Sequence, residues 1–246
     1  MLREETLNKI KTLRLSGFAE ALCEQYQTLG IEDLSFDERL GLLIDREIAK
    51  RSSNKITRLL SLAKFQNQEA CIENIDYTIP RNLRRDEIVK LATCDYIKHA
   101  RNINIFGATG AGKSYLGQAL GHAACLNGIA TRYFQLPELL DQFKLAESRG
   151  IEYIQKLNKQ LVKVPLLILD EWLLFKIDED NSRHLLSLID RRYNKTSTII
   201  ISQFSPDEWI EQIPLQVAAE AITDRLTSNA HTITLESKES MRKLEF

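Results

Sequence analysis

Little in this chain can cross-link it or hold a metal unaided. Its four cysteines, Cys23, Cys71, Cys94 and Cys125, lie far apart, with no C-x-x-C spacing and no histidine cluster beside them. That argues for a reducing compartment and against a structural zinc. No stretch approaches the roughly 18 apolar residues of a membrane-spanning helix, and the start, Met1-Leu2-Arg3-Glu4-Glu5, lacks the apolar core of a signal peptide. The expectation is a soluble, cytoplasmic protein with no membrane partner. An excess of one charge is also missing: 33 Lys and Arg balance 34 Asp and Glu. Any polyanion must therefore be met by local basic patches, not by the field of the whole molecule. Proline is scarce, and none of the five precedes Pro80. The 246 residues suffice for one nucleotide-binding-sized domain and a small extra one.

What is present is organised around one stretch. An apolar run, Ile103 to Phe106, leads into Gly107-Ala108-Thr109-Gly110-Ala111-Gly112-Lys113-Ser114 and then a helix. This fits the phosphate-binding pattern G-x-x-x-x-G-K-[ST]. Glycines free the backbone N–H groups to surround a polyphosphate, and the helix beginning at Lys113 adds its positive dipole end. Lys113 is placed to reach the β- and γ-phosphates, and the Ser114 hydroxyl to take one position on Mg²⁺. A nucleotide is the first expectation. The alternative, a strand-to-helix turn that binds nothing, is weakened because strand, loop and helix occur in the required order.

From Leu2 to about Phe65, apolar residues recur at helical spacing, as in Phe18, Leu22 and Tyr26, or Leu40, Leu43, Ile44 and Ile48. Ser35 with Glu38 reads as a capping box. This predicts a bundle of three or four helices. On the last helix Arg51, Lys55 and Arg58 form one stripe, with Arg46, Lys50 and Lys64 nearby. Such a run is either a solvated face or a contact with nucleic-acid phosphates; a nucleotide site next door favours the second. Residues 66–101 read as a linker and an entry helix from about Arg84 to Thr93, with Ile75 to Pro80 a candidate lip over the base.

After the helix from Lys113 to Leu126 the pattern predicts a strand over Ala130 to Gln135 and a helix with Pro137 in its first turn. Lys144, Arg149, Lys156, Lys159 and Lys163 follow, as ordinary surface residues or as the lining of a channel. Val164 to Asp170 is a continuously apolar strand ending in Asp170-Glu171, so both its faces must be covered. Ligands sit at the C-terminal ends of such strands. Asp170 is placed to support Mg²⁺, and Glu171 to orient and deprotonate an attacking water. A helix from about Asn181 to Tyr193 leads to the strand Thr198 to Gln203, whose polar end, Ser202 or Gln203, is a candidate to touch the γ-phosphate. Pro206 to Trp209 and a loop precede a helix over Ala218 to Ser228 and a short strand, His231 to Leu235. The eleven residues beyond leave no room for a helical lid.

These motifs resemble one family. GATGAGKS after an apolar strand, LLILDE, TIIISQ and ITDRL before a terminal strand are similar to the AAA+ ATPases of the initiator and helicase-loader clade. The texts Leu13 to Glu20, Ser35 to Leu40, Glu47 to Arg51 and Asp190-Arg191-Arg192-Tyr193 resemble the IstB transposition helpers within it. The resemblance implies an α/β three-layer P-loop fold: a parallel five-stranded sheet of order 5-1-4-3-2, a helical domain over 1–65 for DNA or partner binding, and an ATPase domain over 66–246. It implies an ATP- and Mg²⁺-dependent protein that forms homo-oligomers on double-stranded DNA with little sequence preference and recruits an insertion-sequence transposase. A DnaC-type helicase loader is the alternative; a small-molecule kinase is disfavoured.

Carried over by motif, Gly107 to Ser114, with Tyr115, bind the nucleotide, Ser114 and Asp170 hold the metal, and Glu171 is the base. Lys113 and Gln203 act on the γ-phosphate, where the family usually has Asn instead of Gln203. Arg225 matches an arginine finger reaching a neighbouring subunit's nucleotide, the alternative being a structural ion pair. Arg191 and Arg192 are further candidates for that interface. Arg46, Lys50, Arg51, Lys55, Arg58, Lys144 and Arg149 are the candidate DNA contacts.

Overall fold

A computed structural model of the chain describes residues 2–236 and Met241. It has two compact units, one up to Arg58 and one from Leu59 onward.

The first unit holds α1 (Leu2–Thr12), α2 (Ser16–Gln27), a single 3-10 turn (Ile31–Asp33) and most of α3 (Phe36–Ala63). The expected capping box starts α3: Glu38 accepts from the Ser35 N–H at 2.8 Å and hydroxyl at 2.7 Å, and Ser35 Oγ accepts from the Glu38 N–H at 3.3 Å. Helix α2 gets no side-chain cap from Leu15 before it. Its first-turn donors instead meet a carboxylate from α3, because Glu47 Oε2 accepts from Gly17 N at 2.7 Å and Phe18 N at 3.0 Å. A negative group at a helix N-terminus satisfies orphan N–H groups and complements the dipole. Gly17 permits this approach, since a Cβ there would lie 2.9 Å from the Arg46 carbonyl oxygen and 3.0 Å from Glu47 Cα.

The second unit runs α4 (Arg85–Ala92), α5 (Asp95–Lys98), β1 (Asn102–Gly107), α6 (Lys113–Leu126), β2 (Thr131–Gln135), α7 (Leu136–Arg149), α8 (Ile151–Lys163), β3 (Leu166–Asp170), α9 (Glu179–Arg192), β4 (Ser197–Ser202), α10 (Pro206–Gln212), α11 (Gln216–Thr227) and β5 (Ala230–Leu235). The sheet order is β2-β3-β4-β1-β5 with every pair parallel. That is the expected order read from the other edge. On one face Leu59, Ala63 and Phe65 join Ile88, Leu116 and Leu120 over Ile103, Ile105 and Ile168. On the other, Leu139, Phe143, Leu185, Leu188, Ile222 and Leu226 cover Leu167, Leu169 and Ile200. The result is a three-layer α/β sandwich with helices on both faces of a parallel sheet. Two covered faces explain why β3 and β4 are apolar without alternation.

Polar side chains fasten the end of the sheet away from the phosphate loop. The amides of Asn102 and Asn104 donate to the carbonyls of Arg225 at 3.2 Å and Leu226 at 3.0 Å, which ties α11 to β1. Arg192, 1% exposed, donates to the carbonyls of Leu161, Val164 and Ser197 and to Thr198 Oγ1. Its guanidinium joins the end of α8, the approach to β3 and the start of β4, so the expectation that Arg192 serves a subunit interface is corrected: no part of it is available to a neighbour. Two short helices, α5 and α10, stand where the sequence pattern gives connections. The expected absence of a lid after β5 concerns residues 237–246, which lie outside the described residues except for Met241. Among the described residues no helix is long and apolar enough to cross a membrane.

Candidate functional site

The loop Gly107 to Gly112 leaves β1 at its C-terminal end and enters α6 at Lys113. Gly107 has φ +145°, and a Cβ there would run into the carbonyl oxygen of Leu235 on β5, so only glycine lets the loop lie that close to the neighbouring strand. Lys113 is 8% exposed and its ammonium donates to the Ala108 carbonyl at 2.8 Å, folded over its own loop. Ser114, one residue into the helix, is exposed. The Tyr115 hydroxyl contacts both the N–H and the carbonyl of Cys71 at 3.4 Å, which holds the segment before β1 against α6.

Strands β3 and β4 end beside this loop. Parallel register sets Phe106 opposite Ser202 and Gln135 opposite Asp170. Asp170 is 3% exposed, and both its oxygens are engaged: Oδ1 accepts from the Glu171 N–H at 2.7 Å and Oδ2 from the Tyr133 hydroxyl at 2.8 Å. Glu171 adopts φ +53°, a left-handed conformation that a residue with a Cβ rarely takes. Burial first, then the charges of Asp170 and Glu138, pushes its carboxyl above the usual glutamate range. A carboxylate with a raised pKa is a stronger general base.

At the end of β4 the structure separates the two candidates that the sequence leaves equivalent. Ser202 is 1% exposed; its hydroxyl donates to the Trp172 carbonyl at 3.1 Å and accepts from Trp209 Nε1 at 3.0 Å and Phe204 N at 3.1 Å. Its capacity is spent inside the protein. Gln203 is exposed, and its Oε1 accepts from Thr109 Oγ1 of the phosphate loop at 2.8 Å. Gln203 is therefore the residue of this pair that faces the loop. Trp172, 0% exposed, is core.

Two residues that the sequence reading passes over belong to the same region. Arg81, 6% exposed, donates to the Asp76 carbonyl at 2.9 Å and the Ala111 carbonyl at 3.4 Å. Through its bond to Ala111 it ties the stretch before β1, which includes Ile75 and Tyr77, to the phosphate loop. Those two line a cavity of about 500 Å³ with His122 and Leu126, toward the far end of α6. Tyr133 is the other. No local motif marks either residue, because each is defined by a partner distant in sequence.

The chemistry of the donors suits a hard cation. Ser114 offers a hydroxyl and Asp170 a carboxylate, and no cluster of three or more His, Cys, Asp or Glu exists among the described residues. Mg²⁺ is held in this way, by one or two protein oxygens together with substrate phosphates, rather than in an all-protein cage.

The remaining candidates lie elsewhere. Arg225 donates through Nε and Nη2 to Asp190 Oδ1 at 3.0 and 2.9 Å and through Nη1 to the Ala221 carbonyl, and lies 5.9 Å over the Tyr193 ring. On α3, Arg46 pairs with Glu24 at 3.3 Å, Lys50 with Glu20, and Arg51 with Glu47 at 2.6 Å. Lys55 and Arg58 are exposed and carry no ion pair among the described residues. Lys144 faces Asp178 at 3.5 Å, and Arg149 lies over the Tyr153 ring.

Known proteins resemble this chain along most of its length. The family model described as IstB-like ATP binding protein matches residues 8–245. A protein of insertion sequence IS1162 from Pseudomonas fluorescens, named as ATP-binding, is 41% identical over 82% of this chain and 87% of its own. The y4pL insertion-sequence protein of Sinorhizobium fredii, likewise named, is 40% identical over 99% of this chain and 98% of its own. Among solved structures, the replication initiator DnaA bound to AMPPCP and single-stranded DNA superposes with a TM-score of 0.60 at 20% identity, covering 73% of this chain and 53% of that one. At that identity the likeness concerns the fold.

Proposed function

The chain belongs to the IstB-like ATP-binding proteins, and from that premise we propose that it is the ATP-hydrolysing, DNA-binding helper of an insertion-sequence transposase. The observation that carries the reading is the grouping at the C-terminal ends of β1, β3 and β4: the phosphate loop Gly107 to Ser114, the acids Asp170 and Glu171, and Gln203 bonded to Thr109. Glu171, beside Asp170 in that group, is a carboxylate suited to act as general base. The partner is inferred from the relatives, which are named for the insertion sequences that encode them.

In this reading Lys113 exchanges the Ala108 carbonyl for the β- and γ-phosphates, and Ser114 and Asp170 hold Mg²⁺. The metal, when bound, neutralises charge on the phosphate oxygens. Glu171 takes a proton from the attacking water. Gln203, released from Thr109, orients the γ-phosphate. Arg225 of a neighbouring protomer offsets charge that grows in the transition state. Nucleotide held between protomers makes assembly depend on the γ-phosphate through differential affinity.

Duplex DNA lies along the assembly, with Arg46, Lys50, Arg51, Lys55 and Arg58 of the first unit and Lys144 and Arg149 of the second as candidate phosphate contacts. Bending 20–30 base pairs costs on the order of 1–6 kcal/mol, which several subunits with a few phosphate contacts each can offset. The four cysteines are free, in keeping with a reducing cytoplasm.

Binding to a random-sequence duplex at moderate salt tests the proposal. Non-hydrolysable ATP should raise affinity at least tenfold over ADP, and the transposase should be retained by the loaded complex. Equal affinity with either nucleotide, or retention of a replicative helicase instead, would overturn it.

A further inference from the structure

We propose that Tyr133 is a positioning residue for the metal site: its phenol fixes the orientation in which Asp170 meets Mg²⁺. The proposal rests on the reading that Asp170 supports the metal.

The geometry follows from the sheet. Tyr133 on β2 is registered opposite Ile168 on β3, and Asp170 stands two residues further along β3, on the same face as Ile168. A diagonal neighbour of this kind lies about 7–8 Å away between backbones, too far for a short side chain but within reach of an aromatic one. The phenol spans that gap and donates to Asp170 Oδ2 at 2.8 Å. The ring has little freedom to do otherwise, being 3% exposed and 6.4 Å from the Phe65 ring in an edge contact.

The bond has a fixed direction. A carboxylate has no proton to give, so the phenol is the donor and Asp170 the acceptor. A hydroxyl has one proton, and it goes to Asp170. Gln66 Oε1 lies 3.4 Å from the same phenol oxygen, a longer and secondary contact beside the 2.8 Å bond to Asp170. With Glu171 N–H on Oδ1 and Tyr133 on Oδ2, each carboxylate oxygen keeps one lone-pair direction for the cation side. Removing the phenol proton leaves Oδ2 buried without its donor and frees the carboxylate to rotate. Outer-shell partners of this kind are typically worth about 10–100-fold in metal affinity.

The experiment uses the full chain and a fluorescent non-hydrolysable ATP analogue, following nucleotide retention as Mg²⁺ is titrated. Tyr133→Phe should raise the Mg²⁺ midpoint about tenfold or more while leaving metal-free nucleotide affinity unchanged. Asp170→Asn should raise it as well, and in the Asp170→Asn background Tyr133→Phe should add nothing. An unchanged midpoint in Tyr133→Phe, with Asp170→Asn shifted, overturns the positioning role alone. Unchanged midpoints in both overturn the assignment of Asp170 and the positioning role with it. Additive shifts in the double variant overturn the proposal too, since they show Tyr133 acting other than through Asp170; this comparison stands even if the single variant is less stable.

Discussion

Arg225 and Asp190 form an ion pair in which two guanidinium nitrogens, Nε at 3.0 Å and Nη2 at 2.9 Å, share one carboxylate oxygen. The pair sits far from the chain's own phosphate loop: the Arg225 carbonyl accepts from Asn102 at the start of β1, and the loop leaves β1 five residues later, at Gly107. At about 3.3 Å per residue that is roughly 16 Å. Under the proposed function, Arg225 therefore serves another protomer's nucleotide rather than its own.

A trans role has a distinctive signature. Arg225→Ala should bind ATP normally and lose hydrolysis by about 10³-fold or more. Mixing it with Glu171→Gln should restore hydrolysis that neither variant has alone, because one partner supplies the intact base and the other the intact arginine. Absence of recovery in the mixture, measured as phosphate release, would remove Arg225 from that role.

Glu171 should set the acid limb of the rate. Its carboxyl is raised above the usual value of about 4.3 by burial and by Asp170. The proton-accepting form is therefore lost as pH falls through a value higher than that of an exposed glutamate. Single-turnover profiles should show this decline, and Glu171→Gln should lower the rate by about 10²–10⁴-fold and abolish the limb. A profile unchanged in shape would assign the base elsewhere.

The helical unit should weaken in acid through Glu47. The Arg51 guanidinium first, then the Phe18 and Gly17 N–H groups on α2, hold it below the usual carboxylate range. A depressed pKa contributes stability that is present above the unfolded-state value and lost as pH falls through the folded one. Exchange of the Gly17 and Phe18 amides should accelerate along that decline, and Glu47→Gln should make it pH-independent. Gly17→Ala should cost about 1–3 kcal/mol by overpacking.

Along α3 the basic residues should differ in their value to DNA. Arg46, Lys50 and Arg51 are neutralised by Glu24, Glu20 and Glu47, whereas Lys55 and Arg58 are not. The double variant Lys55→Ala, Arg58→Ala should lower the salt slope of duplex binding by about 2, and Arg46→Ala by less than one. Equal effects would mean that the acids release their partners on binding.

Much of this was legible in the sequence where chemistry ties residue types to local spacing. Gly107 to Ser114 and Asp170-Glu171 follow from patterns that a phosphate loop and a doubly covered strand impose, whereas the strand order was implied only by the family resemblance. Partners distant in sequence were not legible: Asp190 lies 35 positions from Arg225 and Tyr133 lies 37 from Asp170. Arg192 and Arg191 read alike in the chain, yet a helical turn sends one inward to the β3–β4 edge and leaves the other exposed. Helix α10 did carry a signal, Pro206 in the first turn with a Ser205–Glu208 capping box, but its seven residues are too few to show periodicity. The text that resembles the IstB-like proteins, Gly17 with Glu47 and Arg51, proves to be the α2–α3 contact itself.

The central claim is that a triphosphate shared between protomers assembles them on duplex DNA. Mass measurement of single particles with a duplex of about 50 base pairs tests it most directly. The account predicts multi-subunit complexes with non-hydrolysable ATP, and monomers with ADP or in Lys113→Ala. Monomers under every condition, or complexes of the same size without nucleotide, would contradict it.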